Sequence, residues 1–251
     1  MSKRIPIRLN KEPLLEAVWE IRFASDGSAP VGEMLPGILY RELTEYHPLK
    51  VVRLPIADIP RPIAQHDEGL RYLPTVRLEG PEGDPFIIQV GERVVTLNCR
   101  RPYAGWAAFS ERVRRLAQSL QTTGLIHHPE RFSLKYIDLI ELDPQPSLAS
   151  LKASLELADH NLANKPVQLR TEIHQPPFIH ILHVASPVSV MIAGKEPHQG
   201  TLVDIDTIHV AGGEFWETLE ERLVQAHDQS KQLFFDLLTE EAIERLEPVY
   251  E

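Results

Sequence analysis

The sequence predicts an α+β protein in which one unit, with the element order β-α-β4-α, occurs twice. Short segments with alternating apolar and polar residues predict strands, and longer segments with apolar residues three and four apart predict helices. The order of these patterns over residues 13–123 is repeated over residues 132–238. We therefore expect two halves, residues 1–126 and 127–251, that form one compact unit with a mostly antiparallel, curved sheet and the long helices on one face. A single α+β domain without internal symmetry remains the alternative.

Composition limits the class of protein. The chain has 251 residues, of which 43% are hydrophobic and 25% charged, as expected of a globular protein with a substantial core. No apolar run reaches the roughly 18 residues of a membrane span, and the N-terminus lacks the apolar stretch of a signal peptide, so we expect a cytoplasmic protein without a membrane partner. The net charge of −10 argues against a nucleic-acid partner. Cys99 is the only cysteine, which excludes internal disulfides.

The first half begins with its clearest strand. Apolar side chains at every second position from Leu15 to Phe23 predict that residues 14–24 form a half-buried strand. Gly91 and Glu92 predict a tight hairpin, and Gly124 ends a long amphipathic helix. The other elements expected here are a helix up to about Tyr46, an edge strand at 50–54, strands at 72–79, 85–90 and 93–99, and the long helix at 104–123.

The second half begins with a more apolar strand, residues 131–142. After Pro144 and Pro146 we expect a helix over residues 147–158. Pro176 and Pro177 predict a rigid turn between two strands. The strands expected between the two helices lie at 167–174, 178–184, 188–193 and 201–210, and an apolar stripe predicts the last helix over 213–238.

Several stretches, weak singly, are informative as a set. They are PLLEAVWEIRF at 13–23, the hairpin at 89–98, YAGW at 103–106, RFSLKYID at 131–138, LVDID at 202–206 and the tail at 227–239. Together they span nearly the whole chain and resemble a sporadically distributed family of uncharacterised bacterial proteins. The family's Arg-Tyr-Ile-Asn-like strand reads Lys135-Tyr136-Ile137-Asp138 here. The resemblance implies no reaction, and patchy occurrence is typical of accessory, mobile or defence-linked genes.

The expected order of elements also resembles a TATA-binding-protein-like duplication. A saddle of that kind presents the free face of its sheet as a binding surface. Function depends on the site and not on the fold, and the acidic net charge argues against a DNA-binding role.

If the helices cover one face of the sheet, the side chains on the other face are candidates for binding. These side chains are polar and carry charges of both signs. A solvated face with cross-strand ion pairs and a recessed binding surface both fit this pattern. The candidate binding residues are Glu20, Arg22, Gln89, Asn98, Arg170, Glu172, His174, Asp204 and Asp206.

Asp204 and Asp206 lie two apart on an expected strand and so share a face, as two ligands of a divalent cation or an acid–base pair would. Two carboxylates alone do not fill the coordination shell of a cation. His180 and His183 are three apart and lie on opposite faces of a strand. The sequence contains no Walker, dinucleotide, Gly-x-Ser-x-Gly, zinc-protease or kinase motif. We therefore predict no catalytic residue, no cofactor and no metal ion.

Two classes of function fit these patterns. The first is a non-enzymatic protein-interaction or regulatory accessory protein, for example an antitoxin, immunity or defence-linked partner. It would use the free sheet face or the helix pair to bind a protein or peptide, or a second copy of itself. The alternative is a small-molecule-binding protein or a metal-assisted hydrolase that uses the carboxylates. A flat, ion-paired face favours the first class, and a deep pocket with convergent carboxylates favours the second.

Overall fold

The computed structural model describes residues 4–25, 29–43, 49–191 and 196–250. Over these residues the protein is α+β, with a large antiparallel sheet and five α-helices. None of these helices is both long enough and apolar enough to cross a membrane. The helices are α1 (Val31–Leu43), α2 (Arg61–His66), α3 (Trp106–Thr123), α4 (Phe215–Leu237) and α5 (Glu240–Arg245).

Thirteen strands accompany the helices in the described part of the chain. Two short 3-10 turns, at Pro55–Asp58 and Leu148–Ser150, lie between them. The strands are β1 (Arg8–Leu9), β2 (Leu14–Ala24), β3 (Lys50–Arg53), β4 (Val76–Glu79), β5 (Phe86–Val90), β6 (Val94–Arg100), β7 (His128–Ile140), β8 (Glu156–Leu157), β9 (His160–Asn161), β10 (Val167–Gln175), β11 (Phe178–Val190), β12 (His198–Val210) and β13 (Pro248–Val249).

Nine of the strands form the large sheet, in the order β10-β11-β12-β7-β2-β6-β5-β4-β3. The strand pairs β1–β13 and β8–β9 stand apart from it. The chain divides into two compact units. Unit I comprises Met1–Leu15, Lys135–Thr207 and Val224–Glu251, and unit II comprises Glu16–Leu134 and Ile208–Leu223. The predicted boundary between residues 126 and 127 stays a prediction.

The core of unit II contains the alternating face of β2. The side chains of Ala17, Trp19, Ile21 and Phe23 are fully buried, which confirms the strand predicted from their spacing. Helix α3 buries one stripe that includes Phe109, Val113, Leu116 and Leu120, and each of these side chains contributes about 1.5–3 kcal/mol by leaving water. The helix ends at Gly124, whose left-handed backbone (φ 64°) favours glycine.

The core of unit I contains buried side chains from β12 and from the C-terminal helices α4 and α5. Val203 and Ile205 on β12 pack in one buried cluster with Phe235 at the end of α4 and Ile243 on α5. The hydroxyl of Thr239 accepts a hydrogen bond from the Ala242 backbone (3.2 Å) and so caps α5. Asp204 on β12 therefore lies in sequence between two buried apolar residues, Val203 and Ile205.

The helix predicted over residues 147–158 is wrong. A 3-10 turn is followed by extended backbone, in which Lys152 N donates to Leu237 O (2.7 Å) and Leu151 bridges Leu238. From Leu151 onward the apolar side chains fall at every second position, and Ala153 and Leu155 pack against the core of unit I. This period of two suits an extended chain, and pairing with the residues after α4 decides between it and a helix.

The predicted separation of strands 178–184 and 188–193 is also wrong. Strand β11 runs without interruption from Phe178 to Val190 and includes Pro187. Residues 192–193, which the prediction included, lie outside the described residues, as do residues 44–46 of the first predicted helix. The predicted strand over 72–79 begins only at Val76. The described part of residues 127–251 therefore departs from the order β-α-β4-α in two places. The first predicted helix is absent, and two predicted strands are one strand, β11.

Candidate functional site

The nine candidate binding residues fall into two groups, one in each unit. Glu20, Arg22, Gln89 and Asn98 belong to unit II, on β2, β5 and β6. The five others belong to unit I. They are Arg170, Glu172 and His174 on β10, and Asp204 and Asp206 on β12.

Glu20 is the centre of an ion-paired network in unit II. Its Oε1 accepts hydrogen bonds from Arg22 Nε (2.6 Å) and from Arg131 (3.0 Å). The Arg22 guanidinium lies over the ring of Tyr72, 4.5 Å from the centroid, and the Tyr72 hydroxyl donates to Glu130 (2.8 Å). Burial and the hydrogen bond to Glu130 raise the pKa of Tyr72. The negative charge of Glu20 is thus compensated by two arginines within a partly buried network.

Asn98 is buried and belongs to a second network in unit II. Its amide nitrogen donates to Glu16 Oε1 (2.9 Å), and its carbonyl oxygen accepts from the Thr96 hydroxyl (2.7 Å). Gln89 lies directly opposite Thr96 in the β5–β6 register. The Asn98 side chain is therefore satisfied by its neighbours, as a buried amide must be.

The carboxylates of unit I are less well satisfied. Lys135 Nζ lies 3.9 Å from Asp204 Oδ2 and 3.8 Å from Asp206 Oδ2. The other oxygen of each carboxylate is buried and has no hydrogen-bond partner among the described residues. Burial raises the pKa of Asp204, and the charge of Lys135 opposes this effect. The charge of Lys135 therefore offsets only part of the negative charge of the two carboxylates, and one oxygen of each carboxylate lacks a hydrogen bond.

Asp138 is a buried acid that sequence reasoning missed. It is only 6% exposed, and burial raises its pKa to about 8, with Glu12 and Asp204 raising it further. A charged residue inside the apolar run from Ile137 to Ile140 was the signal that could have found it. At neutral pH this carboxyl group is mostly protonated.

Strand β10 carries the most exposed candidates. Arg170 and Glu172 form an ion pair (3.4 Å) on the exposed face, and His174 is also exposed. Gln168 Nε2 lies 3.1 Å from His183 Nε2 on the paired strand. These side chains form an open polar row along the strand.

A further polar group in unit I links β-strands to α4. His180 Nδ1 lies 2.9 Å from the Thr207 hydroxyl, which lies 2.6 Å from the hydroxyl of Ser230. The Tyr136 hydroxyl is 2.8 Å from His227 Nδ1. Burial lowers the pKa of His180, and burial with nearby Lys231 lowers the pKa of His227 to about 4. Both imidazoles are neutral and act as packing groups with hydrogen bonds.

None of the nine candidate residues lines either of two clefts in the structure. One, of about 690 Å³, is in unit II and is lined in part by Arg53, Leu70 and Arg93. The other, of about 500 Å³, is in unit I beside Thr239 and Arg245. Over the described ranges, no three His, Cys, Asp or Glu side chains are grouped so as to hold a metal ion.

Comparison with family models found no match for this chain, and comparison with curated proteins found none. The resemblance to the sporadically distributed bacterial family stays a hypothesis. The function of the protein is therefore inferred from the geometry of its own residues.

Proposed function

We propose that the protein is a non-enzymatic interaction protein that binds a protein or peptide partner by strand addition at the edge of its sheet formed by β10. Strand β10 is the first in the sheet order, and within the described chain it is hydrogen-bonded to β11 alone. An edge strand has unpaired backbone N–H and C=O groups on its outer side. The position of β10 at the edge of the sheet is the observation on which the proposal depends.

The length and composition of β10 favour such binding. Its nine residues contain no proline, so every residue has a backbone donor. The strand at the other end of the sheet order, β3, has only four residues. In strand addition the backbone bonds supply affinity and alternate side chains supply specificity. Arg170, Glu172 and His174 would supply the specificity here.

The polar residues of unit II support an interaction surface more than a reaction. The charges of Glu20 and Arg22 are already compensated by their neighbours, and Asn98 is hydrogen-bonded on both ends of its amide. Such groups hold strands in register and present fixed side chains. An antitoxin, immunity or other defence-linked partner protein would need a fixed surface of this kind.

Proline substitution at the edge tests the proposal. The N–H groups of neighbouring residues in a strand point to opposite sides. One of the two variants Arg170→Pro and Thr171→Pro therefore removes a donor to β11, and the other, the outward variant, removes a donor on the outer side of the sheet. We expect the outward variant to keep its circular dichroism spectrum and thermal unfolding temperature, and to lose at least about tenfold in affinity for its partner. The measurement is capture with the purified chain from its native cell, followed by titration of the recovered protein.

The variant that removes a donor to β11 is the matched control, because it carries proline at the neighbouring residue. Its thermal unfolding temperature should be lower than that of the native chain, since a hydrogen bond between β10 and β11 is lost. A folded outward variant that retains every partner and the same oligomeric state would rule out the edge as the binding site.

The proposal retains the duplicated, TATA-binding-protein-like arrangement, the bacterial family and a cytoplasmic location. In support of duplication, each half starts with a long strand, β2 or β7, and each contains a long helix near its end, α3 or α4. The missing helix over residues 147–158 counts against it.

A small-molecule-binding role for the carboxylates of β12, with or without metal-assisted hydrolysis, is the second candidate. The buried, unpartnered oxygens of Asp204 and Asp206 favour it, because such oxygens gain stability from a bound donor or cation. We expect Mn²⁺ or 1,4-diaminobutane to raise the thermal unfolding temperature of the native chain and not that of the double variant Asp204→Asn, Asp206→Asn.

Glu172→Gln, an exposed substitution in the same unit, is the control and should respond as the native chain does. Equal responses from the native chain and the double variant would dispose of this candidate.

A further inference from the structure

We propose that the strand added at β10 is β10 of a second copy of this chain, paired antiparallel about a two-fold axis at Thr171. This inference rests on the proposed function and names its partner. In a two-fold interface each residue meets its symmetry equivalent or a reciprocal neighbour. The sequence of β10 is complementary to itself in this register.

The charges of β10 match across the axis. Residues at equal distances before and after Thr171 face each other, so Arg170 of each copy faces Glu172 of the other. Directly opposed Cβ atoms lie about 4.5–5.5 Å apart, closer than residues two apart along one strand, at about 7 Å. Both side chains are exposed and already lie on the same face, where they pair at 3.4 Å. Pairing of two copies would form two new ion pairs.

The other face of β10 matches as well. Leu169 faces Ile173 across the axis, and Thr171 faces its own equivalent. Ile173 packs against the apolar core of unit I, and Leu169 and Thr171 are half-buried. Apolar and Thr–Thr pairs stabilise neighbouring strands. The second copy would therefore extend the apolar layer of unit I beyond its present edge.

Other registers are less favourable. An axis at Arg170 or at Glu172 would place like charges directly opposite each other, which destabilises a strand pair. A shift by one residue would place a side chain from the polar face opposite one from the apolar face. Thr171 is also the midpoint of the strand, and Pro166 and Pro176, which cannot donate, flank its two ends. The axis at Thr171 therefore combines the longest overlap with opposite charges.

A disulfide at the axis tests the register. In Thr171→Cys the two introduced thiols of a dimer lie opposite each other, within reach of a disulfide after a small adjustment. We expect mild oxidation to convert this variant to a covalent dimer. Gln168→Cys is the matched control, because in this register its two copies lie about 20 Å apart and should stay unlinked. The native Cys99 is buried and can remain in both variants.

Charge exchange tests the partner interaction without oxidation. Arg170→Glu places like charges opposite each other twice, and we expect the dimer dissociation constant to rise about tenfold. Adding Glu172→Arg to the same chain makes the strand self-complementary again and should restore the native constant. Sedimentation over a range of protein concentrations measures all three, and circular dichroism checks that each variant is folded.

A native chain that is monomeric at every concentration, or equal cross-linking at positions 168 and 171, would overturn the inference. If the chain is monomeric and the outward proline variant still loses a different protein partner, the proposed function stands and only the second copy is wrong. If the dimer forms and the outward proline variant keeps both the dimer and every other partner, both are wrong.

Discussion

Gly91 illustrates how a single position controls the hairpin between β5 and β6. A Cβ at this position would lie 2.6 Å from the carbonyl oxygen of Leu73 and 3.1 Å from Cα of Pro74. These contacts are with backbone, which cannot rotate away as the end of a side chain can. Glycine is therefore needed here for close approach of two chain segments.

The variant Gly91→Ala should lower the free energy of unfolding by about 1–3 kcal/mol, because the added methyl group forces two backbone segments apart. Gly37→Ala is the matched control. Its Cβ would meet nothing within 4 Å, and it lies in α1, where alanine is favoured over glycine by about 1 kcal/mol. Urea unfolding of the three chains measures both effects. A Gly91→Ala chain as stable as the native one would show that the hairpin adjusts freely.

Residue spacing in the sequence predicts some of the polar contacts of Glu20 and gives no sign of others. Alternation along β2 puts Glu20 and Arg22 on one face, and the structure joins them by a hydrogen bond. Arg131, which binds the same carboxylate, is 111 positions away in sequence. Such a contact depends on how distant segments pack, and no local pattern indicates it.

Elements whose periodicity is strong were predicted best. The period of two in β2 and the amphipathic stripe of α3 gave elements within two residues of those observed. The segment after Pro146 failed because Leu148 and Leu151 fit a helical spacing, while the residues that follow fit an extended one. Pairing with the chain beyond α4 decided in favour of the extended form.

The prediction of β11 failed in a different way. Two strands, 178–184 and 188–193, were expected here, yet β11 is one 13-residue strand that passes through Pro187. Because proline lacks a donor, its position in a sheet depends on which neighbour the missing N–H would face. That information is tertiary and is not contained in the local sequence.

At the scale of the whole molecule, Asp138 and His227 have pKa changes of opposite sign, and both contribute to the dependence of stability on pH. Asp138 has its pKa raised by burial from 3.8 to about 8, so the folded chain holds a proton that the unfolded chain releases. His227 has its pKa lowered by burial from 6.5 to about 4, so the folded chain lacks a proton that the unfolded chain binds. As pH rises, the first effect lowers the free energy of unfolding and the second raises it.

The two effects oppose each other between about pH 4 and 6.5, and only that of Asp138 remains between about pH 6.5 and 8. From these two groups we expect a nearly level free energy of unfolding in the first window. In the second it should decrease by about 1.4 kcal/mol per pH unit at most, since one proton is released on unfolding. Asp138→Asn should remove the decrease and leave a rise between about pH 4 and 6.5 from His227.

Urea unfolding of the native chain and of Asp138→Asn at intervals of pH measures these slopes. Glu156→Gln, an exposed substitution on β8, should follow the native profile. Parallel profiles of the native chain and Asp138→Asn between pH 6.5 and 8 would contradict this prediction, because a buried acid with a raised pKa must bind its proton more tightly in the folded chain than in the unfolded one.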